Sequence, residues 1–278
     1  MHIEKNIVIE RPENRPILLD VFYKPSEEKL PLVLFCHGYK GFKDWGAWDL
    51  MAKEFANHGY LFVKFNFSHN GGTIKEPIDF PDLEAFGENN YSKELADLKD
   101  VLDYCEEAFK EQTDFSQIGL IGHSRGGGIA TLYTNEDTRI THLISWAGVS
   151  DFSIRFPVGD KFTEWKKTNV YYVVNGRTQQ KMPHYFQFWE DYASNPDRFN
   201  IKKAAQAIKI PHLIIHGTND SSVPYWEAEN LHEWNKNSKI YELKGANHVF
   251  GAKHPWKTKE IPNDLLKITH KTIQFLRA

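Results

Sequence analysis

The chain has 278 residues, 41% of them hydrophobic and 26% charged, with a formal net charge of −3 from 34 basic and 37 acidic side chains. These values suit a globular domain with a sizeable core and exclude a largely disordered chain. The two signs are interspersed without a Lys/Arg run, so no nucleic-acid partner is expected. No apolar run approaches the ~18 residues that a bilayer span needs.

The first elements are two strands, 3–10 and 17–24, separated by the turn RPENRP and read as an antiparallel hairpin. The apolar run 31–36 (PLVLFC) reads as a strand buried on both faces, as in a parallel sheet. It ends in HGYKGF. Trp48, Met51, Ala52 and Phe55 have helical spacing, so a helix is expected over 45–58, stopped by Gly59. A strand at 60–67 is followed by a long loop rich in Gly, Pro and Asn, of a length that often carries function.

Tyr91, Leu95, Leu98, Leu102, Cys105 and Phe109 predict a helix over 92–112. A short strand at 118–121 leads into GHSRGGG, and a helix is expected at 126–134. Further strands are expected at 142–147, 212–216 and 239–243, with helices at 224–236 and 263–276. This alternation predicts an α/β fold: a mostly parallel sheet with helices on both faces. The rhythm breaks between 151 and 208, where VYYVVNGRTQQKMP reads as a hairpin around Asn175-Gly176 and HYFQFWEDYA as an aromatic, helix-like stretch. We read 151–208 as a small lid within a single domain spanning 1–278.

The chemistry is expected at GHSRG, which has the form G-x-S-x-G between a strand and a helix. A tight strand-to-helix turn crowds its flanking residues, and Gly122 and Gly126 relieve that crowding around Ser124. Gly127 and Gly128 would let the helix pack close to the sheet. A serine hydroxyl is a weak nucleophile that needs a base, an acid to orient the base, and donors for the oxyanion. Asp220 follows the strand HLIIH, and Asp151 is a rival acid after the preceding strand. Of thirteen histidines, His248 is singled out because it completes the chain order Ser…Asp…His. Oxyanion donors are expected from the backbone N–H groups of Tyr39 and Arg125, with Gly38 allowing close approach.

These segments resemble the α/β-hydrolase superfamily: HGYKGF, GHSRGG, HGTNDSSVP and ANH occur in its order and spread over most of the chain. Within it, the chain looks most like lidded single-domain esterases related to feruloyl and cinnamoyl esterases, classed beside serine aminopeptidases and prolyl oligopeptidase-type hydrolases. The resemblance implies the α/β-hydrolase fold with eight core strands, a nucleophile elbow, a compact insertion after the sixth strand, and no metal.

The expected activity is that of a carboxylesterase on small acyl or aryl esters. A peptidase acting on short peptides is the alternative, with Glu190-Asp191 as acids that could grip an amino terminus. A non-catalytic binding module on this fold is a third reading, disfavoured by the complete set of three candidates. Gly38, His123, Tyr172, His184 and Trp189 are candidate substrate contacts. The aromatics of the insertion either pack it onto the body or line an apolar pocket. The Arg125 side chain is expected to tie the elbow to the lid through Glu190 or Asp191, or else to attract an anionic substrate group. No H-E-x-x-H, C-x-x-C or G-x-G-x-x-G occurs, so neither metal nor cofactor is expected, and His212 and His216 read as packed or solvent-facing residues. Cys36 and Cys105 read as buried hydrophobes. The N-terminal MHIEKNIVIERPENRP lacks a signal-peptide core, which leads to an expected cytoplasmic location, with homodimer formation left open.

Overall fold

The computed structural model describes residues 1–278. Strands β1 (His2–Ile9) and β2 (Ile17–Tyr23) pair antiparallel. Then come β3 (Leu30–Cys36), α1 (Trp48–Asn57), β4 (Leu61–Phe65), α2 (Leu83–Gly87), α3 (Tyr91–Ala108), β5 (Thr113–His123), α4 (Arg125–Glu136) and β6 (His142–Trp146). Between 151 and 208 lie α5 (Asp160–Thr168), a hairpin of β7 (Val170–Val174) and β8 (Lys181–Tyr185), α6 (Gln187–Ser194) and α7 (Ile201–Ala207). The chain closes with β9 (His212–Gly217), α8 (Trp226–Trp234), β10 (Ser238–Leu243) and α9 (Asn263–Leu276).

Eight strands form one sheet in the order β1-β2-β4-β3-β5-β6-β9-β10. Only β2 runs against its neighbours; the other pairings are parallel. Side chains alternate across the pleat, so β3 sends Leu32, Leu34 and Cys36 to one core and Val33 and Phe35 to the other. The first core is covered by α3, α4, α7 and α8, and the second by α1 and α9. Burial of both strand faces explains the apolar runs of β3 and β9, and that of β4, which is interrupted only by the buried, ion-paired Lys64. Register places Cys36 beside Gly122, His123 beside Trp146, and Gly217 beside Leu243. The segments that follow β3, β5, β9 and β10 therefore emerge along one edge, where α/β sheets gather functional groups.

Several elements depart from the sequence expectation. Strand β5 starts at Thr113 because Thr113 and Asp114 pair with Leu30 and Pro31 ahead of a register shift, although the residues over 113–117 are mostly polar. The long loop contains α2, capped by the Asp82 side chain, which accepts from the Ala85 N–H at 2.9 Å. Helix α3 ends at Ala108, four residues early. Helices α5 and α7 are too sparsely apolar to show a stripe: α5 buries Trp165 alone, and α7 buries Ile201, Ala204 and Ala205. The connection of the β7–β8 hairpin spans 175–180, because the Asn175 side chain accepts from the N–H groups of Arg177 and Thr178 and opens a wider turn.

Candidate active site

Ser124 sits at the tip of the turn from β5 to α4 with φ +57° and ψ −122°. A non-glycine residue in that region costs about 1–3 kcal/mol and persists only where its surroundings enforce it. Here the surroundings are backbone. A Cβ on Gly122 would lie 2.2 Å from the Gly126 carbonyl oxygen, and one on Gly126 would lie 2.6 Å from the carbonyl oxygens of Cys36 and His37. The Ser124 N–H donates to the Trp146 carbonyl at 2.9 Å, and its own carbonyl accepts from Gly127 and Val149. Gly127 faces the backbone of Gly148, while Gly128 faces Val149 and Phe152. Gly127 also faces the Gly122 carbonyl of β5, so it lets α4 approach both the sheet and the segment after β6, while Gly128 serves the latter contact.

The segment after β3 lies against the elbow. A Cβ on Gly38 would come within 2.8 Å of the Ser124 Cβ and 3.3 Å of its Oγ. The buried His37 ring fixes this segment: its Nδ1 lies 2.9 Å from the Gly38 carbonyl oxygen, and its Nε2 accepts from the Phe67 N–H. Burial holds His37 neutral, with a pKa lowered to about 4. Neither the Tyr39 nor the Arg125 backbone N–H has an acceptor within the chain.

Asp220 and His248 meet on this edge, with His248 Nδ1 2.7 Å from Asp220 Oδ2. The other Asp220 oxygen accepts from the N–H groups of Ser222 and Val223 at 2.8 and 2.9 Å. Burial disfavours the charged carboxylate, but hydrogen bonds from His216, His248 and the Val223 N–H prevail and hold Asp220 well below the usual carboxylate range. Asp151 is elsewhere engaged: its oxygens accept from the N–H and hydroxyl of Ser153 at 2.7 and 2.9 Å. His123 lies under the base, with Nε2 2.9 Å from the His248 carbonyl oxygen and the two ring centres 4.8 Å apart.

Ser124 and His248 border two cavities. One, of about 240 Å³, is lined by Gly38, Trp45, Trp48, His123 and Arg177 among others. The second, of about 460 Å³, reaches under the insertion to Tyr91, Phe156, Tyr171, His184 and Phe188. His184 is buried, with Nε2 2.9 Å from the Tyr39 hydroxyl and its ring stacked on Tyr171. Burial first, and the Arg125 charge second, lower its pKa to about 3. Tyr172 and Trp189 border neither cavity: Tyr172 is 57% exposed, and Trp189 packs on Phe156, Phe162 and Tyr192.

The Arg125 side chain departs from expectation. It pairs with Glu94 of α3, at 3.0 Å from Nη2 to Oε1 and 3.1 Å from Nε to Oε2, rather than with Glu190 or Asp191. Its guanidinium carbon lies 4.8 Å from the Tyr91 ring centre and 4.9 Å from that of Phe188. The insertion is therefore tied to the elbow through an aromatic ring on a cation, not through an ion pair. Asp191 accepts instead from the hydroxyl and N–H of Ser92. The periodicity of α3 hid Glu94, since a buried acid on an apolar stripe has no local signature. Lys40, inside HGYKGF, borders both cavities, though its sequence neighbours carry the more familiar site signals.

Other ionisable clusters lie apart from Ser124. Asp20, Asp44 and Asp49 converge, but Lys5, Lys43 and Lys64 interleave with them at 2.5–3.0 Å and match their charge. Glu54, His58 and His270 form a partly exposed group between α1 and α9. Ser145 Oγ lies 2.9 Å from His212 Nε2, but both side chains are fully buried between β6 and the first residue of β9, where no substrate reaches.

A family model described as alpha/beta hydrolase fold matches residues 31–165. The chain has the α/β-hydrolase fold. Est1E from Butyrivibrio proteoclasticus superposes with a TM-score of 0.71 at 16% identity, covering 99% of this chain and 98% of that one. The esterase domain of a Rhodothermus marinus protein gives 0.67 at 16% identity, covering 100% and 98%. YuxL of Bacillus subtilis (strain 168), named an uncharacterized peptidase, is 28% identical over 238 residues, so the match takes in 80% of this chain but only 31% of that relative. No helix of the chain is long and apolar enough to cross a membrane.

Proposed function

We propose that the chain is a serine carboxylesterase acting on small acyl or aryl esters. One observation carries this reading: the strained Ser124 opens onto the same two cavities as His248, whose Nδ1 is bound to Asp220. In the reaction, Ser124 Oγ attacks the ester carbonyl carbon as His248 Nε2 takes its proton. The oxyanion is received by the N–H groups of Tyr39 and Arg125, each such donor contributing roughly 2.7–4 kcal/mol in the transition state. Collapse breaks the acyl–oxygen bond, and the alcohol leaves with the proton from His248. Water then attacks the acyl-enzyme, His248 again accepts a proton, and the acid departs as Ser124 regains its hydrogen. Asp220 holds the tautomer that leaves Nε2 free to accept. No cofactor takes part, the insertion acts as a lid, and the buried free thiols of Cys36 and Cys105 accord with a cytoplasmic enzyme.

A peptidase with the same machinery is the second reading, favoured by the name of the Bacillus relative. Against it, no Asp or Glu borders either cavity to receive an amino terminus. A panel of p-nitrophenyl esters from short to long, a hydroxycinnamate ester and aminoacyl p-nitroanilides separates the two. The esterase reading expects ester hydrolysis that disappears in Ser124→Ala. Anilide cleavage at rates comparable with the esters would move the reading to a peptidase.

A further inference from the structure

Two cavities meet at Ser124, and their linings contain four cations, Lys40, Arg125, Arg155 and Arg177, and no carboxylate. The imbalance is local, because the whole chain carries −3. Three of the four cations are matched from outside the cleft. Arg125 pairs with Glu94 at 3.0 Å, Arg155 with the fully buried Glu227 at 2.5 Å, and Arg177 with Asp79. Lys40 differs: its ammonium makes no ion pair or hydrogen bond within the chain, and lies 5.0 Å from the centre of the neighbouring Tyr39 ring.

Lys40 is also placed by its backbone. It has φ +54°, in the turn closed by the Gly41 N–H donating to the Gly38 carbonyl at 3.0 Å. That turn carries Gly38, where an added Cβ would come within 3.3 Å of the Ser124 Oγ, so Lys40 extends from a segment that lies against the reacting hydroxyl. Burial without a counter-charge lowers the Lys40 pKa. An unpaired, partly desolvated cation gains more from an arriving anion than a hydrated surface lysine does.

We propose that the cleft selects esters bearing a carboxylate, and that Lys40 is the residue that receives it. The inference rests on the esterase reading and names its substrate class. The same charge distribution disfavours a free ammonium group on the substrate. Because Lys40 borders both cavities, the carboxylate is carried either by the acyl group or by the leaving group, and the test separates the two.

The experiment uses two matched pairs of esters. Mono-p-nitrophenyl adipate against p-nitrophenyl hexanoate places the charge on the acyl side. para-Acetoxybenzoate against its methyl ester places it on the leaving side. Wild type, Lys40→Met and Lys40→Arg are compared by the ratio of kcat/KM for the anionic ester to that for the neutral one. In one pair, Lys40→Met should lower this ratio about tenfold, a change typical of losing one charged hydrogen bond. The loss should fall on KM, Lys40→Arg should retain most of the ratio, and added salt should shrink it in wild type. A ratio unchanged by Lys40→Met in both pairs overturns the proposal while leaving the esterase reading intact. Failure of wild type to hydrolyse even the neutral esters overturns the esterase reading, and this one with it.

Discussion

At the sheet edge, backbone meets backbone. The Gly122 and Gly126 positions leave 2.2–2.6 Å for a Cβ, and Ser124 is held in a strained conformation between them. In the insertion, ring meets ring: Phe156 touches Trp165, Phe188, Trp189 and Tyr192, while polar ties such as Asp191 to Ser92 and Arg198 to Glu136 fasten the segment to the body. Backbone contact admits one geometry, because any added atom collides. Ring contact admits exchange among large side chains, with a cost set by volume and fit. On the proposed reading, the reaction lies at the edge, and the choice of substrate lies with the insertion and the unpaired charge of Lys40.

The largest expected effect sharpens the first half of that contrast. Asp220→Asn should leave the fold in place and lower kcat about 10⁴-fold, because the amide favours the wrong imidazole tautomer. A loss below tenfold in steady-state ester hydrolysis would separate Asp220 from the chemistry. Next comes the joint between the two regions. Glu94→Ala strands the buried Arg125 guanidinium and should cost about 3–5 kcal/mol in urea unfolding. A cost under about 1 kcal/mol would mean that the rings of Tyr91 and Phe188 hold Arg125 without its acid.

The smallest effect concerns pH. Burial lowers His37 to about 4, and His123, His184 and His212 to about 3, from an ordinary 6.5. Each stays neutral in the folded chain and takes up a proton below 6.5 once unfolded. Their stabilisation is complete above that value and is lost progressively as pH falls toward 3–4. Asp97, pushed up to about 6 by burial, works in the opposite direction and reduces the sum. Urea midpoints at pH 7 and pH 5 check the sign: stability should be lower at pH 5.

The two regions also differ in how far they can be read from sequence. Strands β3 and β9 announce themselves as short apolar runs, and the parallel register then brings the segments after β9 and β10 together, so that Asp220 and His248 share a hydrogen bond. Position along the chain suffices there because the sheet supplies the third dimension. The Arg125–Glu94 pair spans 31 residues and the Tyr39–His184 bond spans 145, with no repeat or spacing to signal either. Helix α5 buries a single tryptophan, which leaves no periodic trace. The pairing state of Lys40 depends on which acids the fold directs elsewhere, and only the assembled cleft reveals it.

The account turns on Ser124 as the nucleophile, and a fluorophosphonate probe followed by peptide mass spectrometry tests this most directly. Native protein should carry the adduct on the peptide containing Ser124, and Ser124→Ala should carry none. An adduct on another serine, or equal labelling of Ser124→Ala, would contradict the account.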